Sequence, residues 1–356
     1  MTGGPHLNCF FMEPQENDKQ DLTVDDYLEA LQQRNLVYNH DFRYFSNPVT
    51  NGSTTECGIP DGWQYKNEGT DASISFDANS KQLVIEKSSD GSVMSFRQAL
   101  HEFPRWEQML TGKVITACVV LDMDRSGDVN IVLSDAIDST TITKSGKGSH
   151  EVTLQLKINP AAKSISITIE TAVPVMTIRL TRVFVNAGMV ALPNLPCVVQ
   201  GIIGERRQYI ATETPPAEEL SLCNPPVELG NDYTRLNSVL NKRFGEGKNG
   251  NSLLIDMRGY FSRSWDNGAS VDPNASDRTA PGSGTIKGDH VSTFEQDAFL
   301  KHDHGLSFSI DRPILTGKEG AATIINTSST SKTQEAIDGK ETRPKNIAEL
   351  YTIKWA

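Results

Sequence analysis

Lys113-Val114-Ile115-Thr116-Ala117-Cys118-Val119-Val120-Leu121 is the longest of a series of β-branched runs in this chain. Shorter runs of the same character occupy residues 83–86, 129–133, 151–156, 164–169 and 176–180. Turn signals part them, among them Ser89-Asp90-Gly91-Ser92 and Lys144-Ser145-Gly146-Lys147-Gly148. Branched side chains suit a pleated, half-buried surface. Many short strands at this spacing predict an antiparallel β-sandwich over residues 36–190, which is the size of one domain.

On the N-terminal side, residues 1–20 are polar and carry Pro5 and Pro14, so they read as a tail or docking arm. Residues 23–34 read as a helix. Thr23 and Asp26 resemble a capping box with a shorter acid. Val24, Tyr27, Leu28 and Leu31 fall on one stripe, and Asn35 is a stop. The stripe serves either to pack on the next domain or to self-associate or anchor.

On the C-terminal side, prolines at 193, 196, 215, 216, 225 and 226 mark residues 191–230 as a connector. A second helix follows, with Tyr233, Leu236, Val239, Leu240 and Phe244 on one face and Gly245 as its terminator. From residue 251 onward the chain is mostly loop. Gly, Ser, Thr, Asn and Asp dominate 265–290 and 317–340. Such a stretch cannot bury enough apolar surface by itself to offset an ordering entropy of ~1–2 kcal/mol per residue. It is either disordered or borrows burial from neighbouring chains.

Composition sets bounds on function. The 356 residues carry a net charge of -11 and are 37% hydrophobic, with a mean hydropathy of -0.39. An acidic surface argues against nucleic acid as a partner. No apolar run reaches transmembrane length, which argues against membrane insertion. The N-terminus lacks the basic start and apolar core of a signal peptide, so if the protein leaves a cell it does so by another route, such as lysis. The five cysteines, at 9, 57, 118, 197 and 223, form no CxxC pair and read as reduced thiols.

Several motifs fall short of the chemistry they mimic. Asp122-Met123-Asp124-Arg125-Ser126-Gly127-Asp128 opens like a calcium loop, but Leu133 stands where a bidentate Glu is needed, and a β-turn is the natural reading. Gly245-Glu246-Gly247 follows a helix where a dinucleotide fingerprint follows a strand. Gly282-Ser283-Gly284 lacks the lysine of a P-loop. His290 beside Asp289 has no matching nucleophile. The scatter of Asp and Glu singles out no glycosidase pair.

Asp297-Ala298-Phe299-Leu300-Lys301-His302-Asp303-His304-Gly305 places two histidines one residue apart. On a strand both imidazoles face one side, which makes at most half a metal site. The surrounding pieces carry a resemblance. Thr214-Pro215-Pro216-Ala217 and Leu222-Cys223-Asn224 come first, then Tyr233, Leu236, Val239 and Leu240 with Arg243-Phe244-Gly245. Ser252-Leu253-Leu254-Ile255-Asp256-Met257-Arg258-Gly259-Tyr260-Phe261 and Arg263-Ser264-Trp265-Asp266-Asn267-Gly268 follow. Gln296-Asp297-Ala298-Phe299, His302-Asp303-His304 and Glu341-Thr342-Arg343-Pro344-Lys345-Asn346 with Leu350-Tyr351-Thr352-Ile353-Lys354 close the series. In this order the blocks resemble the tail-collar domain of bacteriophage short tail fibres. Glu218-Glu219 departs from the family's Gly-Trp, and Cys223-Asn224-Pro225 from its Cys-Asp-Gly.

The resemblance implies that residues 231–356 form a loop-rich, intertwined trimeric fibre-tip domain with one short helix. It further implies a homotrimer in which His302 and His304 of three chains present six nitrogens to one transition-metal ion per trimer. Six nitrogens suit iron(II), and zinc(II) is the other candidate. A site with no open position is structural. Residues 1–35 would then attach the fibre to phage tail or baseplate proteins in the virion. Exposed loops, residues 306–340 foremost, would meet a host cell-surface saccharide. Asn35-Leu36-Val37-Tyr38-Asn39-His40-Asp41-Phe42 with Ile59-Pro60-Asp61-Gly62-Trp63 is similar to the opening of carbohydrate-binding jelly-roll modules. Phe42 and Trp63 themselves read as core aromatics. The implied protein is not an enzyme. The alternative is a polysaccharide depolymerase or a metal-dependent hydrolase built on His302 and His304.

Overall fold

The computed structural model describes residues 22–47, 59–67, 72–87, 91–297 and 346–356. Those up to Phe294, with Glu349–Ala356, belong to one compact unit. His302, His304, the 306–340 segment and residues 1–20 lie outside the described residues.

The β-branched runs form strands as their composition predicts. In chain order they are β1 (Gln64–Asn67), β2 (Ala72–Asp77), β3 (Gln82–Lys87), β4 (Met94–Ala99), β5 (Val114–Met123), β6 (Val129–Ser134), β7 (Ser139–Lys144), β8 (Gly148–Lys157), β9 (Ser166–Thr171) and β10 (Thr177–Ala187). They make two five-stranded sheets, ordered β1-β4-β9-β6-β7 and β2-β3-β10-β5-β8. Their ladders are antiparallel. The protein is thus mainly β, with an antiparallel sandwich at its centre. Alternation does the sorting: Val129, Ile131 and Leu133 of β6 point inward, as do Val152, Leu154 and Leu156 of β8. A register shift between Leu180 and Arg182 marks a bulge in β10 against β5.

Aromatic stacking fills one end of this core. Trp63 and Phe96 lie parallel with ring centroids 4.5 Å apart, and Phe42 packs against Trp63 at 5.4 Å. Both Phe42 and Trp63 are fully buried. They are core residues, as their type predicts.

Helix α1 (Val24–Leu31) begins at Thr23 with the reciprocal Thr23–Asp26 capping box. Its apolar stripe is not buried: Val24 is 74% exposed, Leu28 and Leu31 are also exposed, and only Ala30 is covered. A second helix, α2 (Trp106–Leu110), is a single short turn after β4. The third, α3 (Thr234–Leu240), buries Leu236, Val239 and Leu240. It ends before Gly245, the expected terminator, because Asn241 takes the left-handed cap position with φ 43°. Asn tolerates that conformation better than most residues.

The stretch 191–230, expected as a connector, contains structure of its own. It supplies β11 (Arg206–Tyr209) and β12 (Glu219–Ser221), which flank the C-terminal β13 (Leu350–Lys354) in a three-stranded antiparallel sheet. Pairing with a strand more than a hundred residues away is not visible in local composition. This sheet and α3 share a second apolar cluster built on Tyr38, Ile203, Leu222, Leu236, Leu254 and Ile353. Between Asp256 and Phe294 the backbone has almost no regular structure beyond one turn of 3₁₀ helix at Ala275–Asp277.

Candidate functional site

Helix α3 fixes the C-terminal part of the chain to the sandwich through a reciprocal contact. Glu102, just after β4, accepts hydrogen bonds from the backbone N–H of Thr234 (2.7 Å) and of Arg235 (2.8 Å), and from the Thr234 hydroxyl. A carboxylate here satisfies first-turn donors that have no partner within the helix. In return, Arg235 reaches back into the sandwich. Its guanidinium donates to the carbonyls of Ala99 (2.9 and 2.6 Å), Leu36 (2.8 Å) and Glu102 (3.4 Å). Arg235 is completely buried. Burial pushes the Glu102 carboxyl up and the Arg235 guanidinium down from their ordinary ranges, each opposed by the other's charge. Sequence reading missed both residues, since a charged residue between Thr and Leu reads as a solvated helix face.

The departures at Glu218-Glu219 also have a structural reason. Glu219 is buried in β12, and its carboxylate accepts from Thr352 Oγ1, Tyr209 Oη at 2.8 Å and Arg207 at 3.1 Å. One acidic side chain thereby ties all three strands of the small sheet. Similarly, the two glycine motifs that resemble nucleotide loops meet each other. A side chain at Gly245 would collide with Ser283, and one at Gly284 with the Arg243 carbonyl. Their role is close packing.

The Asp122–Asp128 stretch, expected as a β-turn, is a bend that carries the chain from β5 in one sheet to β6 in the other. Asp124 accepts the Thr177 N–H and Asp128 accepts the Ser145 hydroxyl. Among the described residues no group of three or more His, Cys, Asp or Glu is placed to hold a metal ion. Cys118, Cys197 and Cys223 are free thiols.

Among the described residues, two surface cavities could admit a ligand. One, of about 220 Å³, lies where β1 meets α3 and is lined by Asn47, Ile59, Trp63, Gln64, Asn237 and Asn241 among others. Its amides already serve the fold. Asn47 donates to the carbonyls of Ser238 and Val239, and Asn237 accepts the Ser252 N–H.

The other, of about 130 Å³, lies in the Arg263–Thr293 loops and brings together His290, Asp289 and the Trp265-Asp266 pair. Its frame is rigid. Asp266 accepts the N–H groups of Ser270, Val271 and Asp272 at 2.8–2.9 Å. Those bonds, that from Asp272 foremost, hold its carboxyl below the usual range. Arg278 is clamped between Asp272 (3.0 Å) and Thr293 (3.1 Å to the hydroxyl). Trp265 donates its indole N–H to the Asp289 carbonyl at 3.1 Å, and the Gly268 N–H bonds the Asp289 carboxylate at 2.7 Å. Trp265 as a whole remains 51% exposed.

Comparison with known proteins adds a relative. No family model matches the chain. Among solved structures, a bacteriophage CBA120 tailspike protein 4 domain aligns over 40% of this chain and 21% of its own, at 13% identity and TM-score 0.30. TmCBM61 in complex with β-1,4-galactotriose aligns over 43% of this chain and 97% of its own, at 10% identity and TM-score 0.31. A CBM4 structure aligns over 42% and 99%, at 15% identity and TM-score 0.31. Likenesses this low carry nothing across to this chain. Protein RhiB of Rhizobium leguminosarum bv. viciae is different: it is 30% identical over 166 residues, 46% of this chain and 75% of RhiB. At that identity and coverage, the chain belongs to the family of protein RhiB.

Proposed function

We propose that the chain is one subunit of a trimeric tail fibre, or of the fibre of a related contractile injection particle, and that it binds a host-surface saccharide without turning it over. The observation that carries this reading is the surface of the 256–294 loops. Phe261 is 66% exposed and Val271 77%, and Tyr260 and Val291 are exposed with them. Large apolar side chains on a stretch with little regular structure favour burial by another chain. Intertwined copies would supply that burial, as the tail-collar resemblance implies.

In this reading residues 1–35 attach to tail or baseplate proteins and the fibre resides in the virion tail. The stripe of α1, with Leu28 and Leu31 facing outward, supports attachment there. His302 and His304 from three chains would converge on one ion. The donor set fits, because neutral imidazole is a ligand for both iron(II) and zinc(II). When bound, such an ion would supply cross-linking and not chemistry, since six ligands leave no position for water.

Sedimentation with metal analysis tests the proposal. A trimer holding one ion per three chains is expected, and chelation should lower its melting temperature. A monomer with one ion per chain would overturn it. Sustained release of reducing ends from host polysaccharide would instead favour an enzyme.

A further inference from the structure

We propose that the cavity beside Trp265 is a binding site for a single neutral pyranose unit. This rests on the receptor-binding reading above and gives it a location in the described loops.

Four features point to this ligand. The first is unused hydrogen-bonding capacity. Among the described residues the side chains of Ser264 and Ser292, the His290 ring and the second Asp289 carboxylate oxygen have no hydrogen-bond partner, although each lines the cavity. Arg263 is half exposed and holds only a 3.4 Å ion pair with Asp272. Donors and acceptors thus converge without partners, as recognition of a polyol requires.

The second feature is the aromatic face. The indole N–H of Trp265 is anchored on the Asp289 carbonyl, so the ring is oriented before a ligand arrives. Preorganisation of this kind lowers the cost of binding. A pyranose offers an apolar C–H face to such a ring and hydroxyls at its rim.

Size and charge are the third feature. About 130 Å³ is well below the ~300–1,000 Å³ of sites that enclose larger ligands. A cavity of this scale suits the edge of one sugar ring and not a longer chain. Three carboxylates, of Asp266, Asp272 and Asp289, face two guanidiniums, of Arg263 and Arg278. The excess of negative charge disfavours an anionic sugar.

The fourth is strain. Ser292 has φ 75°, a left-handed conformation uncommon for a side-chain-bearing residue. Such strain concentrates at ligand clamps.

Ligand-observed NMR on the full chain tests the site. The probes are methyl α-D-glucopyranoside, methyl β-D-galactopyranoside and N-acetylglucosamine, with D-glucuronate as the charged contrast. At least one neutral probe should bind with a dissociation constant of about millimolar magnitude, as a small, shallow contact allows. Trp265→Ala and Arg263→Ala should each weaken it by about tenfold or more, and Trp265→Phe should retain part of the affinity. Arg263 is half exposed, so its variant should melt like the parent and guards against a folding artefact. Failure of every neutral probe to bind, unchanged binding by both alanine variants, or tighter binding of glucuronate would each overturn the site. Sedimentation of the same sample separates this from the fibre reading. A trimer without sugar binding would sink the site alone, whereas a sugar-binding monomer would support the site and sink the trimer.

Discussion

Arg235 shows how far one residue can decide the arrangement of this chain. Its guanidinium fork satisfies carbonyls from the N-terminal segment, β4 and the turn after it, while Glu102 receives the first N–H groups of α3. A buried charge deprived of its partner is costly, so Arg235→Leu should lose about 3–5 kcal/mol in urea unfolding. Arg235→Lys should not restore it, because an ammonium on a flexible stem lacks the planar fork that spans three carbonyls. A loss below about 1 kcal/mol for the leucine variant would show that the clasp is dispensable. Asp266 acts at the same scale by accepting three backbone N–H groups. Its folded pKa is depressed, chiefly by the Asp272 N–H. Its stabilising contribution is therefore present above the ordinary carboxylate range, near pH 4, and is lost as the pH falls through the folded value. Hydrogen exchange at the amides of Ser270, Val271 and Asp272 should show protection fading on acidification. Asp266→Asn should show weak protection at every pH; protection unchanged in that variant would contradict the assignment.

At the level of elements, α1 and α3 make an instructive pair. Both carry an apolar stripe at helical spacing, yet α3 buries its stripe and α1 exposes most of it. Periodicity reports that a face exists and is silent on what covers it. Exposure on α1 has a consequence that can be measured. Replacing Leu28 and Leu31 together by Ser should shift the stability of the chain by no more than about 0.5 kcal/mol, while weakening the attachment to tail proteins proposed for α1. A large drop in the unfolding midpoint would mean that the stripe packs within the chain. The small sheet illustrates the opposite case. β11 and β12 are short, and they become strands because β13 pairs with both and Glu219 bonds across them.

For the whole molecule, the question is what completes a loop-rich surface that one chain leaves apolar. If the chain forms the proposed trimer, substituting Phe261 and Val271 together by Ser should dissociate it, seen as a fall in sedimentation coefficient. The circular dichroism of the sandwich should stay unchanged, because neither residue belongs to its core. Persistence of the trimer in that variant would place the interface elsewhere.

The amino-acid sequence by itself determined the sandwich, the capped start of α1 and the core role of Phe42 and Trp63. Each follows from local rules: alternation at period two, a side-chain oxygen three residues before a backbone donor, and the tendency of large aromatics to be buried. Tertiary structure alone decided the rest. The strands at 206–209 and 219–221 depend on a partner at the far end of the chain. The buried places of Arg235 and Glu219 depend on carbonyls and hydroxyls contributed by distant segments. The cavity at Trp265 gathers side chains from four separate stretches, 263–266, 272, 278 and 289–293. Local sequence encodes conformational preference, but which polar groups become partners is settled only when remote segments meet and exclude water, and pairwise contacts of that kind leave no periodic trace in the chain.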